Sequence, residues 1–519
     1  MATSAAAPVA VPGLRRNMVT ICAMTATIMQ ALDTTIANVA LPYMQGSLSA
    51  SQDQINWVLT SYIVAAAIMT APVGWIANRF GRKRIFIICS AGFTIASVMC
   101  GLAQDINQMV LFRLLQGVFG AALVPLSQAV MLDSYALHER AKAMSIWGMG
   151  VMMGPIMGPS LGAWLTETYS WHWVFFVNIP FGIVTVAGLL VFMDETKADR
   201  ALRFDWFGFA ALAIAIGAMQ VALDRGEQLG WLGSNEIIAE IIVSIVGFYY
   251  FFAHSLTTAK PFIQFAIFRD RNFVGGCVFM AVMGLVLFST MALSSPYLQN
   301  VIGYPILTAG VLLATRGCGT FVAMMLVGRF MRYIEARTLI IGGLALMSLS
   351  LFFMTGWTDQ TDVPTIVVVS IAQGFGLGLV FVPLSTVAFL TLPNHLRTDG
   401  TSMLTLMRNV ASSIGISVVI AQLTEGGRRA YAVLNEHVTP FNHAMQMPDV
   451  RGIIDMSTDA GRAMADVMIG LQAQIIAFSL DYQMVMVFTL CAIPLAIMIG
   501  STKVALRKQS AGPDHAVIE

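Results

Sequence analysis

Charge is scarce in this chain. Asp, Glu, Lys and Arg make up 11% of its 519 residues and hydrophobic residues 57%, where soluble domains carry roughly 25% charged residues. That excludes an ordinary soluble domain and points to a polytopic membrane protein. Net charge is nearly absent as well: a formal +1 leaves no electrostatic footprint for nucleic acid. The six cysteines (Cys22, Cys89, Cys100, Cys277, Cys318 and Cys491) all fall inside apolar runs. They lack the spacing of a disulfide framework or a zinc site and read as packing residues. His172, His437 and His443 have no metal spacing either, so no metal is expected. A phosphate-cradling loop and a nucleophile constellation are both missing, which argues against an enzyme and against ATP as the energy source. No small-residue cleavage site follows the first apolar run, so no removable signal peptide is expected.

Long apolar runs, by contrast, are plentiful. Fourteen are long enough to span a bilayer, near 17–41, 54–77, 84–103, 107–130, 143–165, 173–193, 206–224, 236–256, 273–295, 305–328, 337–357, 363–390, 399–423 and 477–501. An even number puts both ends on one side of the membrane, and the Lys/Arg distribution says which. Of the 29 basic residues, twenty-one lie in the tails and in loops after even-numbered runs. Five lie in loops after odd-numbered runs, and Arg113, Arg316 and Arg408 lie within runs. Both termini are therefore expected in the cytoplasm.

The chain also repeats itself weakly. Gln116-Gly117-Val118-Phe119-Gly120, then Pro125-Leu126-Ser127, returns as Gln373-Gly374-Phe375-Gly376-Leu377, then Pro383-Leu384-Ser385. His138 and Arg140 are echoed by His395 and Arg397, an offset of 257. Parallel six-helix repeats related by an axis along the membrane normal suit rocking around a central site. The expected division is a tail 1–16, a six-helix bundle 17–193, a linker 194–271 carrying an inserted pair of helices, a second bundle 272–501 with an outer loop 424–476, and a tail 502–519.

One carboxylate, Asp33, stands inside the first run. A charge at that depth costs roughly 3 kcal/mol or more, so an intramembrane acid is a functional-site candidate by default. Its expected partner is Arg113, the only basic residue of the fourth run. Counting back from Pro42 puts Asp33 roughly 13 Å below the outer end, and Arg113 comes out roughly 10 Å down its own run. The depths agree, so the two meet if helices 1 and 4 are neighbours. A proton-carrying pair and a static buried ion pair are both open on this reading. Gln30, Asn38, Gln116 and Gln128 are polar residues of the same two runs and are candidates for lining a substrate cavity.

The loop after run 2 reads Gly74-Trp75-Ile76-Ala77-Asn78-Arg79-Phe80-Gly81-Arg82-Lys83-Arg84. Its glycines permit a tight interhelical turn, and its cations can cap a helix or pair across the cytoplasmic mouth. This loop resembles the signature of the major facilitator superfamily. Gly74, Asn78, Arg79, Gly81 and Arg82 are the positions carried over. With Asn78 where that family usually has an acid, a latch through this position would rest on hydrogen bonding rather than charge. Arg113-Leu114-Leu115-Gln116-Gly117 resembles a second signature, R-x-x-Q-G. In run 5, Gly150, Gly154, Gly158 and Gly162 recur every four residues, so another helix can approach closely. Pro155 and Pro159 bend that run. Gly154, Gly158, Pro159 and Gly162 are similar to the antiporter signature of the superfamily.

Three further stretches resemble the fourteen-helix drug:proton antiporters of that superfamily: the opening run, Trp171-His172-Trp173-Val174-Phe175-Phe176-Val177-Asn178-Ile179-Pro180, and Leu223-Asp224-Arg225-Gly226. The resemblance implies an all-α polytopic protein of two six-helix bundles plus an inserted hairpin, fourteen transmembrane helices in all. It implies antiport against protons, with export of hydrophobic or amphipathic drugs and toxic compounds, including weak acids and uncouplers, across the inner membrane. It implies the proton gradient as energy source with no cofactor, and a periplasmic adaptor and an outer-membrane channel as partners. The alternatives are a dedicated exporter of one metabolite, lipid or siderophore, and a non-transporting membrane sensor.

The second half is electrostatically odd. Arg316 and Arg408 fall near mid-depth with no acid evident at their level; the nearest intramembrane acid is Asp481. Facing a cavity, such arginines would favour anionic or hydrogen-bond-accepting ligands. Paired with carbonyls or water, they would only fix helix packing. Asp224 and Asp481 join the cavity candidates. Thirty-four Met and thirty-one Phe suit an adaptable apolar pocket. The outer loop holds Ala460–Met468, read as a helix beyond the membrane: a docking face for the adaptor or an ordinary surface helix.

Overall fold

Inside lipid every backbone N–H and C=O must be paired within the protein, and this chain answers with helices alone among the described residues. The structure is a computed structural model. It describes residues 13–498 apart from 137–138, 197, 259–260, 394–395, 440, 448–449 and 451–453. Outside the described residues lie the echo of His138 in His395 and the cations Lys197, Lys260, Arg451, Lys503, Arg507 and Lys508 of the topology count. The tail beyond residue 498 and residues 1–12 lie outside as well.

The first half holds α1 (Gly13–Ser47), α2 (Gln52–Thr70), α3 (Val73–Phe80), α4 (Arg82–Gly101), α5 (Ile106–Gly120), α6 (Leu123–Ser134), α7 (Arg140–Thr168), α8 (Trp173–Phe176) and α9 (Asn178–Phe192). The inserted pair is α10 (Trp206–Leu229) and α11 (Asn235–Thr257). The second half holds α12 (Arg271–Pro296), α13 (Ile306–Phe330), α14 (Ala336–Thr355), α15 (Val363–Val387), α16 (Arg397–His437) and α17 (Asp459–Ala492). Local signals set the starts. Ser51 and Gln54 form a reciprocal capping box on α2, and Asp105 accepts from Gln108 N at 2.9 Å to open α5; such caps satisfy orphan N–H groups. Gly81, at φ +96°, ends α3.

Among the described residues, twelve helices are long and apolar enough to cross a membrane, α5 and α6 together counting as one. There are thirteen when α2 and α3, bent by 57°, are taken as one broken span. The sequence predicts fourteen. The difference is α7, which at 29 residues is long enough, but its glycines and prolines dilute its apolarity.

Within the first half α1 packs on α7 and α9, and α2 and α4 flank α5. Within the second, α13 packs on α15 and α12 on α16. The halves meet where α7 runs along α13 and where α16 touches α3 and α6. The inserted hairpin closes one flank of that seam. Its α10 leans on both α2 and α16, through a core that includes Ala67, Ile216, Phe251 and Leu406. Two helices overrun the bilayer. At 41 and 34 residues, α16 and α17 reach about 60 and 50 Å against a hydrocarbon core of about 30 Å. Their ends form a hairpin beyond it, tied by the Tyr431 hydroxyl donating to Asp466.

Candidate functional site

Asp33 and Arg113 meet as their depths suggest. Arg113 Nη1 donates to Asp33 Oδ2 at 2.7 Å, with the two side chains 1% and 0% exposed. The pair is therefore sealed from both faces in this conformation. Neighbours complete it. Gln116 lies one turn after Arg113 on α5. It donates from Nε2 to Asp33 Oδ1 at 2.8 Å and accepts from Arg113 Nη1 at 2.8 Å. Asn178, at the start of α9, donates to Asp33 Oδ1 at 3.3 Å and to Ser97 Oγ at 2.9 Å. Arg113 Nε donates to the Val58 carbonyl at 3.0 Å. Its guanidinium lies 4.3 Å from the ring centre of Tyr62, a cation–π contact. Tyr62 in turn accepts from Gln30 Nε2 at 3.3 Å. Five helices thus converge on one carboxylate, and each hydrogen bond in the network offsets desolvation of the pair.

The glycine spacing of run 5 has a direct structural cause. A Cβ on Gly154 would lie 2.2 Å from the Ala31 carbonyl carbon. On Gly158 it would lie 2.0 Å from Thr35 Oγ1, and on Gly162 3.0 Å from the Ile36 carbonyl oxygen. Thr35 Oγ1 also donates to the Gly154 carbonyl at 3.0 Å. So α7 rides on the turns of α1 that flank Asp33. The helix continues through Pro155 and Pro159; the side chain of Pro155 is outside the described residues.

The loop after α3 lies at one end of the seam between the halves, among ion pairs and hydrogen bonds. Asp133, at the end of α6, accepts from Arg82 through Oδ2 and from Arg397 through Oδ1, the latter at 2.7 Å. Gly74 packs against Asp399 of α16, where a Cβ would lie 2.7 Å from the Asp399 Cα. Arg79 donates to the carbonyls of Arg200 and Leu202 in the linker, and the Asn78 carbonyl accepts from Asp199 N at 2.9 Å. Charge does hold this end, but through Asp133 rather than through position 78.

The other cavity candidates are not drawn to Asp33. Asn38 is exposed, and Gln128 is buried on α6 with Nε2 unpartnered. Asp224 accepts from Thr60, while Ser417 Oγ donates to the neighbouring Leu223 carbonyl at 2.9 Å. That places Asp224 at the end of the seam far from Asp133. Arg408 is half-buried and donates to its own neighbour Asn409. Asp481 is fully buried with both oxygens unpartnered. Arg316 lies at the seam between the halves.

Sequence reasoning passed over Asn178, Tyr62, Ser97 and Asp133. Asn178 sits inside a quoted motif, so a signal for it existed. Tyr62 and Ser97 look like any residue of an apolar run. Asp133 stands out only as an acid just past the end of run 4.

Residues 23–416 match the family model described as Major Facilitator Superfamily. The chain is similar to the multidrug export protein EmrB of Escherichia coli (strain K12), 34% identical over 434 residues, covering 83% of this chain and 84% of that one. It is similar to the fatty acid resistance protein FarB of Neisseria gonorrhoeae, 33% identical over 419 residues, covering 80% and 82%. Among solved structures, the human organic anion transporter MFSD10 matches with a TM-score of 0.55 at 11% identity, covering 91% and 99%. That likeness is one of fold.

Proposed function

We propose that this chain, which belongs to the major facilitator superfamily, is a proton-coupled antiporter that exports hydrophobic and amphipathic compounds across the inner membrane. As a multi-pass secondary transporter it is not an enzyme, draws on an ion gradient and uses no cofactor. The observation that carries the reading is the sealed Asp33–Arg113 pair, an ion pair held by donors from α5 and α9. Protonation neutralises Asp33 and releases its grip on Arg113. The packing supplies a route outward: α1 bears on α7 at Gly154 and Gly158, and α7 bears on α13 at Ile156 and Gly317. A change in the pair therefore reaches the contact between the halves, which rock to expose the acid to the other side. Each proton moving inward supplies about 2.3 kcal/mol per 100 mV, plus the pH term.

The names of the two relatives support a hydrophobic cargo. In this reading α7 crosses the membrane as the fourteenth span, and both termini face the cytoplasm. The hairpin ending α16 and starting α17 then points outward. It exposes Val433, Val467 and Met468, an apolar face suited to a periplasmic adaptor leading to an outer-membrane channel. The test is substrate movement by protein reconstituted in liposomes under an imposed proton gradient. Transport that ignores the gradient overturns the reading.

A further inference from the structure

The offset of 257 carries Asp33 onto Thr290 and Gln116 onto Gln373. The second half keeps the contact: Gln373 Nε2 lies 3.5 Å from Thr290 Oγ1. It lacks the acid, and a buried cation sits instead on a different helix, at Arg316 of α13. Arg316 is 7% exposed. Its Nη2 donates to Ser294 Oγ at 3.3 Å, its Nε has no partner, and no carboxylate pairs with it among the described residues. A guanidinium keeps its proton in proteins, so its charge needs an anion or a dense set of acceptors.

Arg316 lines a narrow cleft between the halves, partly open at its mouth. The walls are otherwise apolar, with Met152 and Ile156 from the first half and Leu287, Met291, Leu313 and Leu377 from the second. Thr320, one turn on, adds a hydroxyl. Flexible thioethers adapt to varied shapes, while a guanidinium fork matches a carboxylate or sulfonate.

We infer that this cleft is a binding site for amphipathic monoanions, with the acidic head on Arg316 and the apolar body between the halves. The inference rests on the export reading only in taking that ligand to be cargo. Because both halves line the cleft, the occupant is gripped or released as they rock. The two halves divide the labour: the first carries the proton, the second holds the counter-anion.

The test uses full-length protein in nanodiscs without a gradient, with empty nanodiscs as baseline. The probes are 1-anilinonaphthalene-8-sulfonate and N-phenyl-1-naphthylamine, which share an aromatic body and differ in the sulfonate. In Arg316→Gln, affinity for the sulfonate is expected to fall about tenfold or more, as when a buried charge loses its partner, while the neutral probe changes less than about twofold. Arg316→Lys is expected to recover part of the loss. Leu313→Asp, which keeps the arginine but sets an acid one turn away, is expected to weaken the sulfonate likewise. Equal loss of both probes in Arg316→Gln, or an unchanged sulfonate in Arg316→Gln or Leu313→Asp, overturns the site. Arginine-dependent sulfonate binding without gradient-driven export in liposomes upholds the site and removes the export reading instead.

Discussion

Arg397 Nη1 and Asp133 Oδ1 meet at 2.7 Å although they belong to different halves of the molecule. Asp133 also accepts from Arg82, so one carboxylate ties two guanidiniums together at one end of the seam, and the proposed reading makes this tie a latch. Asp133→Asn keeps the shape and removes the charge. For a pair partly open to water the loss is about 1 kcal/mol, about fivefold in the balance between a closed and an open seam at this end. Accessibility of cysteines introduced beside Asp133 is expected to rise by that factor. Unchanged accessibility would mean that the latch contributes nothing.

The contact between α1 and α7 makes a graded expectation. Gly154→Ala drives a methyl into the Ala31 backbone, which cannot rotate away, and overpacking of this kind costs about 1–3 kcal/mol. Gly158→Ala meets the Thr35 hydroxyl, a side chain that can turn aside, so its cost is smaller. Gly46→Ala, with nothing within 4 Å, is neutral. Thermal unfolding in detergent is expected to rank them in that order.

Asn178 donates to Asp33 and Ser97 at once. Asn178→Leu fills similar space but removes both bonds, leaving a carboxylate oxygen with one donor fewer. Transport rate in liposomes is expected to drop about tenfold or more, the factor carried by about 1.5 kcal/mol, the low end for a hydrogen bond to a charged group. A rate equal to wild type would reduce Asn178 to a packing residue.

The hairpin proposed as a docking face allows transport to be tested apart from assembly. Val467 is 66% exposed, so Val467→Glu disturbs no core. Movement of substrate in liposomes is expected to stay at the wild-type rate, while cellular resistance and co-purification of the proposed adaptor are lost. Intact co-purification would place the docking face elsewhere.

Much of the site was legible because it rests on short-range regularities. A lone acid and a lone base in apolar runs, at matching depth, suffice to propose that Asp33 meets Arg113. Glycines four apart announce a close helix contact, and the structure supplies its partner, α1. What spacing does not carry is apposition between distant segments. Asp133 and Arg397 lie 264 residues apart, and nothing local links them. Tyr62 stacks on Arg113 only because α2 packs on α5. The missing span has the reverse cause: the glycines that let α7 approach α1 also lower its hydropathy, so packing competes with the membrane signal.

The central claim, that Asp33 carries the coupled proton, is tested most directly with Asp33→Asn in proteoliposomes, following substrate movement and internal pH together under an imposed proton gradient. Gradient-driven movement of substrate and the accompanying pH change are expected to disappear together, while the amide keeps the helix packed. Substrate movement that stays at the wild-type rate and still collapses the gradient would contradict it.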